Sequence, residues 1–185
     1  IRESRAKRLQ IAGEKFSRQT DQQDHIYYAA AVGDTNAIRR HLGNGVDVNQ
    51  QDLAFGMAPL AVAAVHGQAG AVEVLIEEGA DVNLRSPDGN TALHGAAFFG
   101  RLQCVQRLLD HGADATARNE DRQTPLESSQ TADWETIQFI GAILQVELDK
   151  EKVLQGRSAA AVLLAQCVEQ TGPRPEAGSA REEEP

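Results

Sequence analysis

Apolar residues along this chain fall into short clusters at helical spacing: Ile38 with Leu42, Val72 with Leu75 and Ile76, Val105 with Leu108 and Leu109. That spacing puts each cluster on one face of a helix, as a stripe that needs a core to cover it. Ahead of each stripe lies a segment opened by an Ala pair and closed by glycine, namely Ala29 to Gly33, Ala63 to Gly67 and Ala96 to Gly100. Small Ala pairs let neighbouring helices approach closely, and the closing glycine accepts the left-handed conformation that ends a helix. After each stripe Gly45, Gly79 and Gly112 stop the chain, and an Asp-led segment runs into a turn such as Pro87-Asp88-Gly89-Asn90.

These elements recur in one register. Gly45-Val46-Asp47-Val48-Asn49, Gly79-Ala80-Asp81-Val82-Asn83 and Gly112-Ala113-Asp114-Ala115-Thr116 follow one another at steps of 34 and 33 residues. The Ala-Ala segments keep the same steps, and so do Ala58-Pro59-Leu60-Ala61, Thr91-Ala92-Leu93-His94 and Thr124-Pro125-Leu126-Glu127. A fixed period of this length predicts a solenoid of helix pairs, in which no unit buries its apolar stripe alone and neighbours must stack. Thr91 and Thr124 are N-cap candidates, and Pro125 suits a first helical turn, where its missing N–H costs nothing.

The Thr-Pro-Leu-His start, the Ala-Ala-x-x-Gly helix end and the Gly-Ala-Asp-Val-Asn connection together resemble the ankyrin-repeat family over about residues 24–147. The resemblance implies an all-α solenoid of about four helix-turn-helix repeats, at 24–50, 51–83, 84–116 and 117–147, with β-hairpin-like fingers between them. It also implies a non-catalytic module that recognises a protein or peptide, most often with the finger tips and the exposed positions of the first helices, which line a concave groove. On this chain those positions are Tyr28, Phe55, Met57, Val65, His66, Asp88, Asn90, Phe98, Phe99, Arg122 and Trp134. Aromatics suit such a surface because they bury large area at low rotamer cost. One of Phe98 and Phe99 is expected in the core and the other exposed. Asn83, with Leu75 and Asp81 upstream, has the spacing of hydroxylated ankyrin asparagines, a minor option that needs a dedicated oxygenase.

Departures from the period mark its ends. The first repeat opens on Asp24-His25-Ile26-Tyr27-Tyr28, as suits an N-terminal cap, and the second carries one extra residue around Leu53 to Met57, which predicts an unusual finger. The fourth has Ser129-Gln130 in place of the Ala pair and Asp133 in place of glycine, so Asp133 reads as the N-cap of a helix over Trp134 to Val146. Beyond it, residues 148–170 read as two capping helices, the first ended by Gly156 and the second packing Val162, Leu163 and Cys167 on the last repeat. Residues 171–185 are too polar to offset the entropy of ordering and read as a disordered tail.

Charge narrows the partners. A formal net charge of −9 argues against nucleic acid across the body of the domain and for a neutral or basic protein partner. Residues 1–23 form a basic segment or linker, with Arg2, Arg5, Lys7, Arg8, Lys15 and Arg18 against Glu3 and Glu14 in its first 20 residues. Such a stretch is either an ordinary solvated segment or the cytoplasmic flank of a membrane span lying upstream, so the repeats are either a free adaptor or a structural or regulatory domain of a larger, membrane-attached polypeptide. Cys104 and Cys167 lack metal or redox spacing and read as thiols in a reducing compartment, which places the module in the cytoplasm, and as an isolated unit it is expected to be monomeric.

Nothing in the sequence reads as catalytic, cofactor-binding or metal-binding. The histidines do not converge, His94 being a structural repeat residue and His41 and His111 sitting at helix ends where partial positive charge suits the dipole. No nucleophile elbow, phosphate loop or dinucleotide glycine fingerprint is present.

Overall fold

The computed structural model describes residues 23–171, and the expectations for the basic segment at 1–23 and for the tail at 171–185 lie, except at Gln23 and Thr171, which are helical, outside the described residues. Among these, nine α-helices and no strands are found: α1 Gln23–Val32, α2 Thr35–Gly43, α3 Pro59–His66, α4 Ala69–Glu77, α5 Ala92–Phe98, α6 Leu102–Asp110, α7 Pro125–Thr131, α8 Trp134–Ile143 and α9 Lys150–Thr171. None is long and apolar enough to cross a membrane.

The first helices α1, α3, α5 and α7 pack side by side in one row, and α2, α4 and α6 form a second row behind them. Ala29, Ala30, Ala63, Ala64, Ala96 and Ala97 are all buried in the first row, where their small size sets the helix spacing. The stripes of the second row, Ile38, Val72, Leu75, Val105 and Leu108, are fully buried against them. Helix ends follow the sequence closely. Gly67 caps α3 in the left-handed region, and the Thr124 hydroxyl accepts from Glu127 N–H while the Glu127 carboxylate accepts from Thr124 N–H at 2.7 Å. Asp133 caps α8 by accepting from Thr136 N–H at 2.8 Å.

Side-chain amides tie successive connections together. The Asn49 side chain accepts from Asp81 N–H and the Asn83 side chain from Asp114 N–H, each at 2.8 Å, so Asn83 serves as a strut between repeats. On the outer row, Arg39 pairs with Glu77 at 2.9 Å and Arg107 with Glu73 at 2.7 Å. These pairs are solvated and add little stability.

The structure departs from the sequence reading at the fourth repeat. Behind α7, in the place of a second-row helix, stands α9 and not α8. Helix α9 is one 22-residue helix running straight through Gly156, where two capping helices were expected. It closes the main core with Ala160 and Leu164, fully buried, and with the partly buried Leu163 and Cys167, while Val162 faces solvent. Helix α8 instead lies over the free face of the first row. Its Ile137, together with Val146 and Val153, forms a second apolar cluster with Val65 and Phe99, and Phe98, Trp134, Ile140 and Leu144 pack around it.

Candidate functional site

The exposed face of the first row is shaped by its fingers and by α8. In the second finger, the Asp52 carboxylate accepts from the backbone N–H groups of Ala54, Phe55 and Met57 at 2.7–2.8 Å, so one side chain organises the loop that holds the extra residue. In the third, Asp88 accepts from the Ser86 hydroxyl and from the amide of Asn90. Burial pushes the Asp88 carboxyl upward, but these hydrogen bonds outweigh it and hold the group below the usual carboxylate range. The fingers also touch, as Glu120 N–H donates to the Asp88 carbonyl at 3.0 Å.

His94 locks the third repeat to the fourth finger. Its Nδ1 accepts from Thr91 N–H at 3.2 Å and its Nε2 stands 3.0 Å from the Gln123 carbonyl, which only accepts, so Nε2 carries the proton. Burial, assisted by Arg85, holds the ring below its ordinary pKa and keeps it neutral. This is the structural role that the repeat pattern assigns to His94.

Helix α8 divides the face into two clefts. One, of about 1100 Å³, runs between α1 and α3 on one side and the segment from Ile143 to Lys152 on the other, with Tyr28, Val32, Phe55 and His66 on its walls. The other, of about 680 Å³, lies between α8 and the second to fourth fingers. Arg101 fastens the first cleft's far wall, donating from Nε to the Val65 carbonyl and from Nη2 to the Glu147 carbonyl, both at 3.0 Å.

Most sequence-picked residues come together here. Tyr28 is 68% and Phe55 49% exposed, and Met57 and His66 line the first cleft with them. Asp88, Asn90 and Phe98 line the second. Val65 and Phe99, at 3% and 2% exposure, are covered by the α8 cluster and are not presented to a partner, which answers the Phe98 and Phe99 alternative with Phe99 in the core. Phe98 is only half-buried, with its neighbour's ring edge-on at 5.0 Å and the Arg157 guanidinium 5.7 Å from its centroid. Trp134 is partly buried in the α8 cluster under Lys150, and Arg122 is exposed at the fourth finger but lines neither cleft. Sequence reasoning missed Val32, Ile143 and Ser128 as wall residues, the last two because nothing local says that α8 turns onto this face.

Among the described residues no group of three or more His, Cys, Asp and Glu side chains is placed to hold a metal ion. Cys104 and Cys167 form no disulfide, and burial pushes the Cys104 thiol up to about 12.

A family model described as ankyrin repeats in three copies matches residues 26–119. Over 69 residues the chain is 35% identical to an ankyrin repeat-containing protein, P1E11.10, of Schizosaccharomyces pombe, covering 37% of this chain and 33% of that protein. Over 67 residues it is 34% identical to the ankyrin repeat and SAM domain-containing protein 6 of Rattus norvegicus, covering 36% of this chain and 8% of that protein. The match thus spans about a third of the yeast relative and a small part of the rat one. With three repeats matched in register and a two-row helical stack that obeys the same period, this chain belongs to the ankyrin-repeat family.

Proposed function

We propose that this chain is a non-catalytic module that holds a protein or peptide segment on the exposed face of its first-helix row, in the clefts beside α8. Ankyrin repeats are in general protein-interaction modules, and that supports the class of function. The observation that carries the finer reading is the clustering of exposed apolar side chains. Tyr28, Val32, Phe55 and Ile143 stand around one cleft on elements far apart in sequence, rather than singly over the surface. Such a rimmed apolar concavity marks a contact surface. In this reading the module works as a monomer in the cytoplasm.

The test is a photo-crosslinking residue placed in turn at Tyr28, at Phe55 and, on the outer row, at Gln106. A partner crosslinked from the first two positions and absent from the third supports the reading. Crosslinks from Gln106 alone would transfer recognition to the outer row and refute it.

A further inference from the structure

We infer that the finger-side cleft selects a peptide segment combining a Lys or Arg side chain with an aliphatic or aromatic anchor. The inference rests on the first-helix face being the binding surface and specifies what one part of it takes.

The cleft exists because α8 supplies a wall that a plain stack of helix pairs would lack. Its apolar floor is built from Met57, Phe98 and Ile140, and Asp88, Asp121 and Asp133 stand along it with no Lys or Arg among its lining residues. Of the nearby cations, Arg85 donates to the Arg118 carbonyl, Arg118 to the Arg122 carbonyl and to Glu127, and Arg157 to the Ser129 carbonyl, while Arg122 is exposed at the fourth finger outside the cleft. Two of the carboxylates are held ionised. Asp88 is kept below its ordinary range by the balance described above, and Asp133 by the Thr136 N–H at the start of α8. An anionic segment entering here would lose water against three negative groups, whereas a cation gains from all of them.

A second observation is independent of charge. Ser128, 5% exposed on the α7 wall of the cleft, has a hydroxyl with no hydrogen-bond partner. A buried, unsatisfied hydroxyl costs stability in the empty molecule, and a backbone group of a bound segment would satisfy it. His94 and the Thr91 amide, which line the cleft from α5, already satisfy each other and are not available for that role. At about 680 Å³ the cleft has room for a few side chains and not for a folded domain.

The test selects binders from a phage library of random peptides of about twelve residues on the full chain. Synthetic copies are then titrated against wild type and the variants Asp121→Asn, Ser128→Ala and Gln106→Arg. Selected peptides are expected to carry Lys or Arg within a few residues of Leu, Ile or Phe. Asp121→Asn should weaken them about three-fold, the size of an exposed charge pair. Ser128→Ala should weaken them by about five-fold, the size of one hydrogen bond, without lowering the melting temperature of the free protein. Asp121 is exposed and caps nothing in the fold, so that variant is not expected to unfold. Neutral or acidic consensus peptides, binding indifferent to Asp121→Asn and Ser128→Ala, or no binders at all would overturn the inference. Peptides blocked by Gln106→Arg and by neither cleft variant would overturn the first-helix reading itself.

Discussion

Gly156 of α9 meets Gly100 at the end of α5 backbone to backbone: a β-carbon added at Gly156 would stand 2.0 Å from the Gly100 carbonyl oxygen. The approach is mutual, since a β-carbon at Gly100 would meet the Val153 carbonyl oxygen at 2.4 Å. This crossing lets α9 lie close enough to the stack to fill the place of the fourth outer helix.

Gly156→Ala therefore has an informative sign. In an open helix the change stabilises by about 1 kcal/mol. Here the obstacle is backbone that cannot rotate away, and a loss of about 1–3 kcal/mol in urea denaturation is expected, the cost of overpacking. A gain would mean that α9 does not dock as described.

Arg157, one residue on, is buried, donates from Nε to the Ser129 carbonyl at 2.6 Å and lies over Phe98. Arg157→Met should cost about 2 kcal/mol of stability, since the carbonyl near the end of α7 loses a charged donor. Lys should rescue little, because its ammonium cannot reproduce a planar group that both stacks and donates sideways. Thermal melts of the two variants check both statements.

The period made the first three repeats legible, because each position's duty recurs: the Ala pair, the apolar stripe and the Asp-led connection appear in the structure where the sequence puts them. The Thr124 and Asp133 caps were also readable from local chemistry alone. The fate of α8 was not. Two amphipathic segments follow α7, and local pattern cannot say which one fills the vacancy in the outer row. Ala160 and Leu164 on a long helix, with Gly156 allowing close approach, win that place for α9. Gly156 was misread for the same reason, since a glycine that ends a helix and one that admits a neighbour look alike in sequence. At the candidate site, Tyr28 and Phe55 could be picked as residues the repeat does not need, whereas Val65 and Phe99 are covered by a segment remote in sequence.

Arg122 sits at φ +60°, one period after Gly89 at +75° and two after Gly56 at +63°. A side chain in that left-handed position is strained by about 1 kcal/mol or more. Arg122→Gly should thus raise stability by up to about 1 kcal/mol, less the added chain entropy of glycine, as read from the denaturation midpoint.

His94 couples the fold to pH. Its pKa is lowered in the folded state by burial first, so between that value and the ordinary 6.5 the unfolded chain binds a proton that the native state refuses. The contribution of neutral His94 is complete above about pH 6.5 and declines as pH falls through that window, by at most about 1.4 kcal/mol per pH unit. His94→Gln should remove this slope from a series of urea titrations between pH 5 and 7.5, while lowering stability at neutral pH.

Recognition on the first-helix face is most directly tested by amide hydrogen exchange on the full chain, alone and with the partner recovered by crosslinking. Slowed exchange is expected at residues 52–57, 86–90 and 134–144, with α2, α4 and α6 unchanged. Protection confined to those outer helices, with the fingers and α8 exchanging as in the free chain, would contradict it.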